Sequence, residues 1–377
     1  MKYTNSWLEI ESSAIRHNLQ IFRKIIGSKV CLMAVVKSNA YGHGFFEVAK
    51  ICDKTKEVDW LGVANLEEAL ELRNKNIKKP ILVLSYYDLN RKQFKEAIKK
   101  GISLTVYDLR QLKFINKIAE GLNKRAKIHF KVDTGTSRIG LPVNKVLSFI
   151  RDAQSYKKIN IKGLFTHYAT AEEVNQKFTI KQTQIFYQLI QKLEKHHIFI
   201  PLKHTACSAA TLLDKMYHFD LIRLGISLYG LWSLENGKAI KKGYNLKPAL
   251  TWKTKIIQVK NISPGQTIGY GRTFKSAKKM KLVILPIGYW EGYDRHLSNK
   301  GEVLIHGQRC KVRGRVCMNL TMVEVDNIKN VKVGDEVVLL GKQGSEVISA
   351  EELANKVGTI NYEIVTRINP LIPRIIK

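Results

Sequence analysis

The dominant pattern along the chain is a run of strand-length apolar segments separated by segments with helical spacing. Trp7-Leu8-Glu9-Ile10-Glu11 alternates apolar and polar, which predicts a short half-buried strand. Ser12-Ser13 then offers an N-cap, and Ile15, Leu19, Phe22 and Ile25 fall on one helix face before Gly27. From Val30 a regular alternation sets in. Strands are predicted at Val30–Val36, Trp60–Ala64, Ile81–Ser85, Ser103–Tyr107, Ile128–Asp133, Ile161–His167, Leu202–Ala206 and Leu221–Leu224. Helical patterns lie between them, at Leu66–Asn74, Arg91–Lys99, Leu109–Leu122, Asn144–Ala153 and Ile180–His196, with a short one at Ala209–Met216. Strands alternating with helices in this number predict a (β/α)8 TIM barrel. A doubly wound open sheet is the main alternative, but the Gly-rich dinucleotide fingerprint that usually accompanies it is absent.

Beyond about Gly230 the texture changes. Gly and Pro turns separate short β-rich runs at Thr254–Val259, Lys281–Leu285, Glu302–Ile305, Arg309–Val312, Thr321–Val325 and Glu336–Leu340, and a single helix is predicted at Ser349–Lys356. The expected architecture is α/β: a barrel over residues 12–235, followed by a mainly β C-terminal domain made of residues 1–11 plus 236–377. The linker is expected within Ser233–Asn245.

Composition changes this picture little. The 377 residues are 45% hydrophobic and 25% charged, as in a globular protein. The first thirty residues hold no apolar signal core, and no apolar run is long enough for a membrane span, so a cytoplasmic protein with no membrane partner is expected. Five cysteines without CxxC pairing read as reduced thiols, and no metal site is expected. The formal charge of +31 raises nucleic-acid binding as a possibility. The basic residues are dispersed, however, and no nucleic-acid signature accompanies them. A lysine-rich solvated surface is the expectation, with attraction of anionic ligands as a secondary effect.

A barrel carries its chemistry at the C-terminal ends of its strands. Lys37 closes the first strand; read alone, it is either a snorkelling surface amine or a reactive one. Asp133, Thr134 and Arg138 close the fifth strand and His167 the sixth. Cys207 and Ser208 close the seventh, and Arg223 with Gly225-Ile226 the eighth. Ser208 before a short helix and the Gly225-Ile226 backbone are groups that hold a phosphate dianion. A lysine beside arginines has a lowered pKa and becomes a usable nucleophile. An amine with a phosphate cradle suggests pyridoxal 5'-phosphate.

The motifs also resemble those of the alanine racemases, which are pyridoxal-phosphate enzymes of fold type III. The stretch Val35-Val36-Lys37-Ser38-Asn39-Ala40-Tyr41-Gly42-His43-Gly44 is similar to their cofactor-attachment motif. Lys131-Val132-Asp133-Thr134-Gly135 with Arg138-Ile139-Gly140, His204-Thr205-Ala206-Cys207-Ser208-Ala209-Ala210 and Arg223-Leu224-Gly225-Ile226-Ser227-Leu228-Tyr229-Gly230 follow in family order. So do Gly269-Tyr270-Gly271, Pro286-Ile287-Gly288-Tyr289, Arg295, Val316-Cys317-Met318 and Gly358-Thr359-Ile360-Asn361-Tyr362-Glu363.

The resemblance implies an isomerase that interconverts L- and D-alanine by a two-base mechanism, supplying D-alanine for peptidoglycan and the cell wall. It implies a homodimer with shared active sites. Lys37 would carry the cofactor and act as base on one face of the substrate, with Tyr270 of the partner subunit on the other. Arg138 and the Met318 amide would bind the substrate carboxylate. Tyr41, Ser208, Gly225, Ile226 and Tyr362 would surround the phosphate, and Arg223 would face the pyridine nitrogen with His167 beside it. Lys131 resembles the family's carbamylated lysine, and Tyr289, Arg295, Cys317 and Asn319 would support the pocket.

Four departures from the family pattern lie nearby: Cys207 for Asn, Thr136-Ser137 for Met-Gly, Asn319 for Asp and Glu291 for Asp. Three rivals remain at this point. They are a broad-specificity or serine racemase, a decarboxylase of the same barrel class and a basic nucleic-acid-binding protein. Arg223 argues against the decarboxylase, which usually pairs the ring nitrogen with a carboxylate.

Overall fold

A computed structural model describes residues 5–233 and 243–377. The boundary expected at 235/236 lies outside the described residues, as does most of the Ser233–Asn245 linker. The chain divides into two compact units. One comprises Ile15–Ala40 and Val48–Lys247; the other comprises Met1–Ala14, Tyr41–Glu47 and Pro248–Lys377.

The first unit is the expected barrel. Parallel strands Cys31–Val35, Trp60–Val63, Ile81–Val83, Ser103–Val106, Ala126–Asp133, Ile159–Phe165 and Leu202–His204 neighbour one another in sequence order. The eighth, Leu221–Leu224, returns to pair with Cys31–Val35. Between the seventh and eighth strands closure rests on two backbone bonds, Asp220 N–H to the Lys203 carbonyl at 2.9 Å and Arg223 N–H to the Ala206 carbonyl at 3.0 Å. The helices start where short polar side chains cap them. Asn65 accepts from the Glu68 amide, Asn90 from Lys92 and Gln93, and Asp108 from Arg110. The helix Ser12–Ile26 differs from expectation. Ser12 and Ser13 are already helical, and the Glu11 carboxylate takes the capping role by accepting from the Ser13 amide and hydroxyl. An acidic group there is favoured by the helix dipole.

The second unit is mainly β. Its main sheet runs in the order Gln308–Lys311, Glu302–Ile305, Glu336–Gln343, Leu250–Lys255, Ser6–Ile10, Arg374–Ile376. A three-stranded sheet joins Gln258–Ile262, Met280–Leu285 and Thr321–Glu324, and packs Ile262, Met280, Leu282 and Met322 into one apolar cluster with Ile268. Two expectations fail here. The run Thr254–Val259 is not one strand: the chain breaks at Ile256-Ile257 and passes from the first sheet to the second. The helix Ala350–Val357, capped by Ser349 and closed by Gly358 at φ +79°, is not alone, because Asn361–Thr366 forms another. That second helix is only six residues long, too short for a 3.6-residue period to show in the sequence.

Tyr41–Glu47 is fastened within this unit by Arg374. Its guanidinium donates to the Gly42 carbonyl at 3.0 and 3.2 Å, to Asn369 at 2.9 Å, to Ile368 at 3.3 Å and to Ile372. At Gly42 (φ +86°) an added Cβ would lie 2.0 Å from the Val365 carbonyl oxygen, so only glycine fits. Arg374→Leu strands several carbonyls at once and should cost roughly 2–3 kcal/mol of stability. Urea unfolding checks this; an unchanged midpoint would count against the anchor.

Candidate active site

The strand Cys31–Val35 ends in an unusual turn. Ser38, Asn39, Ala40 and Tyr41 all sit at φ +50 to +55°, a left-handed turn built without glycine. At about 1–2 kcal/mol per residue the turn stores roughly 4–8 kcal/mol. The bonds that hold it include Ala40 N–H to the Val36 carbonyl at 2.9 Å and Ser38 N–H to the Glu68 carboxylate at 2.7 Å. Strain of this kind needs a surrounding structure that over-determines it, and it fixes where Lys37 emerges.

Around Lys37 the barrel unit gathers positive charge. Burial and the nearby Arg138 lower the Lys37 ammonium, with Glu68 acting weakly the other way. Lys131 lies on the fifth strand with its ammonium 5.6 Å from the Phe165 ring centroid, and is lowered to about 7 by burial, Arg138, Arg223 and Lys37. Asp133 does not neutralise this group. Its Oδ1 is committed to the amides of Gly135, Thr136 and Ser137, which shape the loop that carries Arg138. Among the described residues no carboxylate stands within ion-pair distance of Lys37, Lys131, Arg138 or Arg223.

Arg223 is buried among neutral acceptors. It donates to the carbonyls of Thr166 (2.8 Å) and Thr205 (2.7 Å), to His204 Nδ1 (2.8 Å) and to His167 Nδ1 (3.2 Å). Burial lowers it to about 10, which leaves it charged at neutral pH. A guanidinium has no acceptor, so both imidazoles must receive at Nδ1 and carry their proton on Nε2. His204 then donates from Nε2 to His129 Nδ1, 3.1 Å away. The sequence reading gives His129 and His204 no role of their own. The usable signal is a histidine two residues before Lys131, on the face that alternation gives to Lys127, Lys131 and Asp133. Burial pushes His129 down to about 3, and burial with Arg223 pushes His204 and His167 well below the usual imidazole range. All three are therefore neutral at physiological pH.

On the next strand ends, the Ser208 hydroxyl accepts from the amides of Gly225 (3.0 Å) and Ser227 (3.4 Å), with Ile226 buried between them. Cys207 takes the N-cap position of the helix Ser208–Leu213 and makes no side-chain cap bond. In the β-rich unit the Tyr41 and Tyr362 rings lie 6.2 Å apart. Tyr270, flanked by Gly269 and Gly271 at φ +71°, is 72% exposed, and Met318 is 56% exposed. Tyr289 donates its amide to the Cys317 carbonyl (3.1 Å), and Asn319 donates to Glu291 (2.9 Å). Arg295 acts on the Cys317 thiol, partly opposing the rise that burial causes. The expected residues thus fall into one cationic group in the barrel unit and one tyrosine-rich group in the β-rich unit.

A barrel with a cation-rich set of strand ends, joined in one chain to a β-rich unit, describes a class of enzyme. The family can be named. Residues 10–233 match the model of the alanine racemase N-terminal domain and residues 249–376 that of the C-terminal domain. An alanine racemase of Methanococcus maripaludis is 44% identical over 370 residues, 98% of each chain. The solved alanine racemase of Clostridium difficile 630 superposes with a TM-score of 0.92 at 36% identity, covering 100% of this chain and 97% of that one. A structure of the same organism's alanine racemase in complex with cycloserine gives 0.89 at 34%, covering 100% and 96%. The chain belongs to the alanine racemase family. These likenesses favour neither the serine-racemase nor the nucleic-acid reading. No helix among the described residues is long and apolar enough to cross a membrane.

An amine lowered to about 7 is half neutral near pH 7, whereas ordinary lysines stay charged until about 10.5. In protein freed of CO2, so that the amine is uncapped, the Lys131 Nζ should therefore titrate with a midpoint near pH 7 when followed by NMR of 15N-lysine-labelled protein, while surface lysines titrate near 10.5. A Lys131 midpoint equal to that of the surface lysines would show that the cation cluster does not act on it.

Proposed function

We propose that this chain racemises alanine with pyridoxal 5'-phosphate, using Lys37 and Tyr270 as its two bases. The observation that carries the reading is the group Lys37, Lys131, Arg138 and Arg223, in which the two lysines are lowered by burial and by neighbouring cations and no member makes an ion pair among the described residues. Such a group calls for an anionic occupant, and a phosphorylated cofactor with a carboxylate substrate supplies one. The donor chemistry fits: Ser208, Gly225 and Ile226 would hold the phosphate with Tyr41 and Tyr362, and Arg223 would face the ring nitrogen. When bound, the cofactor withdraws electrons from the substrate and makes its α-hydrogen removable.

The protein side of the reaction follows from the side chains. Lys37 must be neutral to take a proton, and burial with Arg138 moves it that way. Racemisation returns a proton on the opposite face, so a second base is needed there. We assign it to Tyr270 of a partner subunit in a homodimer. The exposed Tyr270, Tyr289, Trp290 and Met318 support this, as apolar surface that a second chain would cover. His167 accepts from Arg223 at Nδ1, so its free Nε2–H would donate to the tyrosine oxygen and favour the phenolate. It cannot take the tyrosine's proton, because burial and the neighbouring cations keep it neutral. Arg138 and the Met318 amide would hold the substrate carboxylate, while Arg295 and Cys317 support the loop behind it.

Lys131 is read as a carbamate. Its neutral amine attacks CO2, an N–C bond forms, and a proton leaves to solvent, so a cation becomes an anion able to orient Arg138. The protein would act in the cytoplasm as a source of D-alanine for the cell wall.

Purified protein should be yellow and interconvert the alanine enantiomers, with serine much slower by chiral chromatography. Lys37→Ala and Tyr270→Phe should each lose activity by at least about 10²–10⁴-fold. Mixing the two inactive proteins under conditions that exchange subunits should restore part of it. No recovery after demonstrated exchange would overturn the shared site.

A further inference from the structure

Two of the four departures from the family pattern, Glu291 and Asn319, touch each other. Glu291 is 3% exposed and has no ion-pair partner among the described residues. Its Oε2 accepts from the Gly288 amide and its Oε1 from Asn319 Nδ2, both at 2.9 Å. A buried carboxylate without a cation depends on such donors, and bonds to it are stronger than those between neutral groups. They join the turn after Met280–Leu285 to the loop before Thr321–Glu324. The two backbones are already pressed together there. The amides of Tyr289 and Trp290 donate to the carbonyls of Cys317 (3.1 Å) and Met318 (3.0 Å), and a Cβ on Gly288 would lie 2.1 Å from the Cys317 oxygen.

The Met318 amide sits inside this lock and has no acceptor of its own within the described residues. It shares a peptide plane with the Cys317 carbonyl, which is held by the Tyr289 amide, so the N–H points the opposite way, and the next plane is held through the Met318 carbonyl by Trp290. We infer that the Glu291–Asn319 pair is a positioning device: it fixes the loop so that the Met318 N–H is presented outward to a carboxylate. This rests on the reading of Met318 as a substrate contact. The two residues act jointly: Glu291 is one methylene longer than the family's aspartate and reaches Asn319 at 2.9 Å, so an aspartate in place of Asn319 would put a second carboxylate at contact distance and open the loop.

The test is a swap of donor and acceptor in the dimeric enzyme. Asn319→Asp should speed hydrogen exchange at Gly288 and Trp290 by roughly tenfold or more, the scale of one lost bond to a charged acceptor. KM for alanine should rise by a similar factor, with kcat little changed. Adding Glu291→Gln should restore both. The introduced glutamine carbonyl accepts from Gly288 and its amide donates to the introduced carboxylate, so the lock is remade with its polarity reversed. Asn319→Ala loosens the loop without adding charge, and Glu291→Gln should not rescue it. Unchanged exchange in Asn319→Asp, or no recovery in the double variant, overturns the inference. If exchange follows the swap while KM does not, the lock stands and the assignment of Met318 to the substrate fails instead.

Discussion

Arg223 is a fully buried cation with no anion beside it, and much of the barrel mouth follows from that. Burying an unpaired guanidinium costs several kcal/mol unless every N–H is received. Here the acceptors are carbonyls at the ends of the sixth and seventh strands and two imidazoles, which ties the last strands of the barrel together where their only backbone closure is sparse. The same arrangement fixes proton positions on side chains beyond its immediate neighbours. His204 and His129 form a line of neutral donors leading from Arg223 into the barrel interior, and His167 leads outward from it. A lysine in place of Arg223 would lack the planar fork that meets four acceptors at once.

The positive field also explains why residues without a common element behave alike. Lys37 is on a strained turn, Lys131 inside a strand and His167 at a strand end, yet the neutral form of each is favoured by burial and by the same neighbouring cations. Chemistry that needs neutral amines and a neutral imidazole at physiological pH is thereby prepared before any ligand arrives.

Much of this was legible in the sequence. The barrel strands were readable because apolar runs of strand length and amphipathic helices alternate without interruption from Val30 to Leu224. Lys37, Arg138, His167, Ser208 and Arg223 were readable because a barrel puts strand ends together, so their order along the chain became a spatial list. The remainder depended on information that spacing does not hold. The break at Ile256-Ile257 was hidden because both halves of that run are equally β-prone, and only pairing partners separate them. Asn361–Thr366 was too short to show a period. His129 lies between Ile128 and Phe130 and reads as an ordinary strand residue until its partner, distant in sequence, is known. The contact between Glu291 and Asn319 was invisible for the same reason, although each was noticed separately.

The β-rich unit places Ser6–Ile10 beside Arg374–Ile376 in parallel register, and the Arg374 guanidinium grips the Gly42 carbonyl. Synthesis from the N-terminus therefore completes the two units at different times. The eight barrel strands have all been made once Leu224 is added, and they emerge and can close while the chain up to Arg374 is still being elongated. Ser6–Ile10 has no parallel neighbour until Arg374–Ile376 follows. Tyr41–Glu47, directly downstream of Lys37, likewise waits for its anchor. A ribosome that stalls just short of Arg374 would release a chain whose barrel strands are complete but whose attachment loop was never fastened.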